Sequence, residues 1–475
     1  MSDKLVSEHA LVWFKNDLRL HDNEALFKAV ASGLPLIFLY CVDIQLYQNI
    51  SLGFPKADIN RVIFLKQAVN NLQQNLNAKN AFLRIEVGLP EDILICYIEK
   101  YNITQIFAEQ EYAWEELQLI DSLQNKVGVK VEFKFYWGKT LYHKDDIPFT
   151  IKEIPLTSKT YRIPTAKQTE VREPLPIPKK FNAANGFESN LFPAFEELGF
   201  SYQETQLVDP FVKGGEDEAL KRLDYYTFES ELLTKYRWTR NNSMGLDYSS
   251  KFSPYLSLGC ISARTIYKII QEYEKRVKKN QSTWWLIFEM VWRDYFTFKG
   301  MKLGNAIFQT KGFRNKKLQF ENNPDFFKKW CNGITGIPFV DANMRQLNKT
   351  GYMSNRGRVN CASFLIHDLK IDWTWGAAYF ESKLIDYDVS SNWMNWHMQA
   401  YEIWYTNPIY QGFKYKEKEF IQKWIPELKP ISDNYIYIPW FESKEKPEIK
   451  GYPKPFEILQ KWNWSINKIL KSMEK

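Results

Sequence analysis

The sequence predicts an amino-terminal α/β domain built on a doubly wound parallel sheet, followed by an all-α carboxy-terminal domain. Two observations carry this. Up to about Trp137, short apolar runs alternate with amphipathic stretches; from about residue 206 onward the apolar spacing is helical and strand signals are few. A third observation separates the halves: residues 138–205 are rich in Pro and Lys and lack sustained periodicity. The expected organisation is therefore 1–137, an α/β domain; 138–205, a connector draped over the surface; and 206–475, a helical domain.

The strand candidates come in order as ALVWF, PLIFLYCV, FLRIEV, QIFAE and VEFKFYW, each a short apolar run suited to a strand buried on both faces. Between them NEALFKAVA, INRVIFLKQAVNNLQQNL, PEDILICYIEKY and WEELQLIDSLQNKV read as the crossover helices. No G-x-G-x-x-G or G-x-x-x-x-G-K-[ST] follows the first strand, which argues against the ordinary dinucleotide and P-loop sites. In the second half, GGEDEALKRLDYY, SARTIYKIIQEYEKRV, STWWLIFEMVWRDYFTF and CASFLIHDLK carry helical spacing.

Composition narrows the function classes. Hydrophobic residues make up 45% and charged residues 25%, as in ordinary globular proteins. Aromatic residues are unusually many, with 17 Trp, 27 Tyr and 33 Phe, a load that fits large cores and also stacking on a flat ligand or on bases. The net charge of +7 is compatible with DNA as a partner. Five scattered Cys without C-x-x-C pairing read as reduced thiols, and no signal peptide or membrane span is evident, so a cytoplasmic location and no membrane partner are expected. The five His show no metal-ligand spacing, and no metal is expected.

Four stretches carry candidate chemistry. In YSSKFSPYLSLG, Ser253–Pro254 reads as a helix start with Ser253 as cap; its hydroxyls, backbone amides and Lys251 could hold a phosphate, although a plain capped helix is the simpler reading of that stretch alone. In STWWLIFEMVWRDYF, Trp285, Glu289, Trp292 and Phe296 share helical spacing; Glu289 either pairs with Arg293 one turn on or meets a ligand. In TGYMSNRGR and LIDYDVSSNW, Arg358 offers a planar fork for which Asp386 is the natural partner.

At this point the residues reach a resemblance. WFKNDLRLHDNEAL, GGEDEALKRL, YRWTRN, DYSSKFSPYLSLGCIS, FEMVWRDYF, TGIPFVDANMRQLNKTGYMSNRGRVN and DYDVSSNW together are similar to the photolyase/cryptochrome family. YRWTRN, DYSSKFSP and WRDYF are most like its cryptochrome-DASH branch, and the match spans nearly the whole chain. The resemblance implies FAD in the helical domain. Tyr236 and Ser249, Ser250, Lys251, Phe252 and Ser253 would grip its pyrophosphate; Arg293, Asn355, Arg358, Asp386 and Asp388 would line the flavin, with Asn392 at flavin N5. Glu289 and Trp292 resemble the acid and aromatic that face a pyrimidine dimer, and Trp396 and Trp373 the inner two members of a tryptophan chain feeding the flavin. Glu111, in AEQEYAWEE, is the candidate contact for an antenna such as 5,10-methenyltetrahydrofolate.

Departures from the family pattern are Lys15 where Arg is usual, Met398 where an aromatic is usual, Phe320 at the outer Trp position, and a short run from Trp396 to Asn407. The implied activity is blue-light repair of cyclobutane pyrimidine dimers, acting as a monomer on single-stranded, dimer-containing DNA, as a deoxyribodipyrimidine photo-lyase. The alternative is a photoreceptor or regulatory cryptochrome with little repair, which Met398 and the short run favour.

Overall fold

A computed structural model of the chain describes residues 8–402, 405–431, 433–442 and 451–474. Five strands, β1 (His9–Phe14), β2 (Leu36–Asp43), β3 (Leu83–Gly88), β4 (Ile103–Glu109) and β5 (Glu132–Tyr136), form one parallel sheet in the order β3-β2-β1-β4-β5. The order reverses at β1, as a doubly wound sheet requires. The crossovers are α1 (Glu24–Ala31), α2 (Ile59–Asn77), α3 (Pro90–Tyr101) and α4 (Trp114–Val127).

The two-residue period of the strands builds two cores. Ala10, Val12 and Phe14 point into a core continuous with the helical half, while Leu11 and Trp13 point into a smaller one with residues of α3 and α4. One face of the sheet is thus packed directly on the helical half.

The connector departs from expectation. It contains a helix, α5 (Ser158–Gln168), with Pro164 inside it. The helix hides from a periodicity reading because it buries only Tyr161 and Thr165, one turn apart, and because an interior Pro ordinarily argues against a helix. Tyr161 anchors it, its ring 5.4 Å from that of Tyr295.

The helical half runs through α6 (Tyr202–Leu207), α7 (Glu216–Asp224), α8 (Tyr236–Thr239), α9 (Ser253–Ser257), α10 (Ala263–Arg276), α11 (Gln281–Leu303), α12 (Pro324–Asn332), α13 (Pro338–Thr350), α14 (Asn355–Ser363), α15 (Trp373–Lys383) and α16 (Val389–Tyr401), with short helices following from Pro408 to Met473. Side-chain caps set the entries: Asn280 accepts from Ser282 N and Thr283 N, Ser354 from Gly357 N, Asp372 from Thr374 N and Asp388 from Ser391 N. Ser253 is not a cap. It is the first residue of α9, Pro254 is the second, and Phe252 holds the cap position without a side-chain bond.

Polar clamps lock the halves together. Arg264 donates to both oxygens of buried Asp22 at 2.7 and 2.9 Å. Glu216 accepts from Leu20 N and His21 N, and buried Asp294 accepts from Leu141 N and Tyr142 N. At Gly259, with φ +63°, a Cβ would fall 2.1 Å from Asn16 O, so only glycine lets the turn after α9 approach the loop after β1. No helix among the described residues is long and apolar enough to cross a membrane.

Candidate functional site

A cavity of about 340 Å³ lies among α8, the Tyr248–Phe252 loop, α9, α11, α14 and α16. Of the residues nominated from sequence, Tyr236, Ser249, Ser250, Lys251, Phe252, Ser253, Glu289, Arg293, Asn355, Arg358, Asp386, Asp388, Asn392 and Trp396 line it; Trp292, Trp373 and Glu111 do not.

The polar groups of this cavity are unevenly satisfied. Arg358 Nη2 donates to both oxygens of Asp386, at 2.8 and 3.0 Å, and its Nε donates to Met353 O. Asp386 is buried, whereas Arg358 keeps part of its surface open to the cavity. Burial works against the guanidinium charge, but Asp386 beside it prevails and the pKa of Arg358 is raised.

Lys251 is 2% exposed, with its backbone in the left-handed region at φ +62°. Its Nζ donates to Ser249 Oγ at 2.6 Å and lies over the Tyr248 ring, and burial pushes its pKa well below the ordinary lysine value. A buried amine whose hydrogen-bond partner among the described residues is a hydroxyl, set among the rings of Tyr248, Tyr352 and Phe211, regains its charge beside an anion and so makes a site for one. The Gln399 amide faces the same cavity with neither of its polar atoms partnered among the described residues. An anion cradle at one end and amide, guanidinium and carboxylate groups at the other fit a dinucleotide carrying a polar ring system, and so fit FAD. Asn392 donates to Ala377 O at 3.0 Å, which fixes its amide and leaves its carbonyl oxygen for a ligand.

Of the two readings of Glu289, the pair with Arg293 does not form among the described residues. Glu289 instead pairs with Arg240 and accepts from Trp285 Nε1 at 2.8 Å. Arg293 donates to Lys139 O and Leu256 O and lies 3.9 Å from Asp388. Trp292 is also not a wall of the cavity. The cavity takes Leu286, Glu289, Met290 and Arg293 from α11, a stripe of three- and four-residue steps. Trp292 falls on the flank of that stripe, its ring 5.8 Å from Tyr295 and 5.5 Å from Phe296.

Trp396 borders the cavity and packs edge-on against Phe380 at 5.0 Å and Trp330 at 6.2 Å. Trp373 is fully buried elsewhere, its ring 6.0 Å from Trp393 and 6.5 Å from Tyr401. The run from Trp396 to Asn407 includes Ile403 and Trp404, which lie outside the described residues. Trp396 fits only because residue 376 is glycine: a Cβ there would fall 2.2 Å from Trp396 Cη2 and 2.5 Å from Leu365 Cδ2. Gly376→Ala is expected to cost about 1–3 kcal/mol by overpacking and to push the Trp396 ring into the cavity. Thermal unfolding together with the flavin-to-protein absorbance ratio checks this; a variant unchanged in both would show that the ring has room to move.

A second cavity, of about 630 Å³, lies between the sheet and the helical half. Glu111 lines it, but Lys15 at 3.0 Å and Lys139 at 3.2 Å each take one of its oxygens. Burial alone would raise the Glu111 pKa; the charges of Lys139 and Lys15 outweigh it and hold the carboxyl at about 2. Glu116 lines the same cavity, and burial together with the Glu111 charge pushes it to about 7, so it can present an O–H donor where Glu111 cannot. Sequence reasoning missed Lys139, Glu116 and Trp393 here. The only local signal was the acidic run at the start of α4, and the partners come from the loop after β1 and the segment after β5.

Comparison with known proteins agrees with this geometry. Residues 285–469 match the family model described as the FAD binding domain of DNA photolyase, and residues 10–179 match DNA photolyase. A cryptochrome DASH of Synechocystis sp. is 39% identical over 471 residues, covering 95% of this chain and 96% of that protein. One from Xenopus laevis is 38% identical, covering 95% and 90%. The crystal structure of a Synechocystis cryptochrome superposes with a TM-score of 0.90 at 38% identity, covering 98% of this chain and 99% of that one. A class III photolyase from Agrobacterium tumefaciens shares the fold, with a TM-score of 0.84 at 24% identity. Matched along nearly its whole length, the chain belongs to the photolyase/cryptochrome family, on its cryptochrome-DASH branch, and its helical half is an FAD-binding domain.

Proposed function

We propose that this protein is a blue-light flavoprotein that repairs cyclobutane pyrimidine dimers in single-stranded DNA, working as a cytoplasmic monomer. What supports the reading is the wall of the first cavity, where Glu289 from α11 and Asn392 and Trp396 from α16 face one space. FAD held in that cavity would supply light-driven electron-transfer chemistry. The chain's own residues do the rest. Lys251 and Ser249 to Ser253 hold the pyrophosphate, Arg358 and Asp386 hold the ring, and Asn392 offers a neutral amide that tolerates negative charge better than a carboxylate would. Glu289, once released by Arg240, can accept a hydrogen bond at a flipped base. A dimer costs least to flip where pairing is already absent, which favours single strands.

The second reading, a photoreceptor or regulatory cryptochrome with little repair, draws on Met398, which lines the cavity where an aromatic wall would stack on a base, and on the outward position of Trp292. Loss of one base–aromatic contact removes roughly 1–3 kcal/mol. Weak binding is therefore expected, stronger on a dimer-containing strand than on an undamaged one and falling with salt. Light-dependent repair of a dimer-containing oligonucleotide, with affinity measured alongside, decides between them. Equal affinities and no repair would favour the photoreceptor. We further propose that the second cavity holds the antenna, 5,10-methenyltetrahydrofolate, with Glu116 and the Lys-clamped Glu111 on its wall.

A further inference from the structure

We infer that the flank of α11 outside the cavity is a stacking surface for the bases of a single nucleic-acid strand. The inference rests on the reading that a strand reaches the first cavity. Trp238 and Trp284 are 64% and 52% exposed, unusual for so large an indole. They are the exposed members of a connected run. Arg237 lies 6.0 Å from the Trp238 ring and 5.2 Å from that of Trp285. Trp285 and Trp284 are 5.7 Å apart, and Trp284 lies 4.9 Å from Phe288. Arg162, on α5, continues the run at 4.4 Å from Phe288 and 5.4 Å from Trp292.

Rings alternate here with guanidinium groups. Arg162, Arg237 and Arg240 all lie against the aromatic faces, and the carboxylate beside them, Glu289, is already paired with Arg240. Open π-faces interleaved with positive charge match a strand whose bases are exposed and whose phosphates are negative. A duplex presents its bases already stacked and has little use for such rings. The run also leads into the site, because Arg240 and Glu289 line the first cavity. A base held in that cavity would place its neighbours on these rings, which gives single-strand preference a source separate from base flipping.

The test uses the FAD-loaded full chain and undamaged oligothymidylate, with fluorescence anisotropy against a duplex of equal length. Trp284→Ala and Trp238→Ala are each expected to weaken oligothymidylate binding roughly tenfold while changing duplex binding less. Trp284→Phe should retain most of the affinity. Arg237→Gln should reduce the salt slope by about 0.7. Unchanged oligothymidylate affinity in both alanine variants would overturn the proposal, as would a natural protein that ignores the oligonucleotide and uses this flank to associate with protein. Because the probe carries no dimer, the outcome is separable from repair. Stacking without repair would defeat the function proposed above and leave this inference standing; repair with unchanged stacking variants would do the reverse.

Discussion

Asp386→Ala is expected to purify colourless and markedly less stable. Asp386 is buried and takes both hydrogen bonds from Arg358 Nη2, so its removal leaves a guanidinium in the cavity wall with no counter-charge. Breaking such a pair from one side typically costs about 3–5 kcal/mol, a large share of the stability of most domains. A companion variant separates the two effects. Replacing both residues by apolar ones of similar size removes the stranded charge, so much of the stability should return. Flavin content should stay low, because the donors and acceptors for the ring are gone. The measurements are the flavin-to-protein absorbance ratio and the thermal midpoint. An Asp386→Ala protein that is folded and fully loaded would show that the pair does not serve the cofactor.

The second large effect concerns electron supply. Trp396 is the indole at the cavity, and the proposed relay continues to Trp373. At the outer position stands Phe320, half-buried, whose phenyl ring lacks both an electron-rich indole and the N–H through which an oxidised indole sheds its proton. The neighbours of the two indoles diverge. Trp396 meets Trp330, which is fully buried and donates to Cys361 O, while Trp373 meets Trp393 and Tyr401 and donates to Thr310 O. Trp330 leads inward, and Tyr401 is the half-exposed side of the other branch. Slow flavin photoreduction is expected in the natural protein, faster in Phe320→Trp and nearly none in Trp396→Phe. Flavin absorbance under blue light with external thiol reads all three. Efficient photoreduction in the natural protein, unchanged by Phe320→Trp, would place the outer donor elsewhere, with Tyr401→Phe the next variant to measure.

The strands and the helices of the α/β half were legible because each is dominated by one period: a two-sided apolar run for β1 and β2, amphipathic spacing for α2 and α3. The residues around the first cavity were legible through resemblance, since their spacing in sequence is long and only a fold brings Tyr236 near Asn392. What escaped was set by tertiary partners. Glu289 has Arg293 one turn away, yet Arg240, just after α8, takes it, while Arg293 donates to the carbonyls of Lys139 and Leu256. Trp292 shares a face with Glu289 only loosely: three residues along a helix leave about 60° between two side chains, enough to put one in the cavity and the other beside it. The clamp on Glu111 needed Lys139, from beyond the last strand, and no local pattern could supply it.

Arg293 and Asp388 face both cavities at once. The two compartments therefore cannot vary independently. A substitution at either residue that suited a different occupant of the second cavity would also disturb the first, and the reverse holds as well. Change that adapts this scaffold to a new pigment or a new light environment is channelled toward positions that touch a single compartment, such as Glu116 on one side or Gln399 on the other, while the shared wall acts as a brake on divergence.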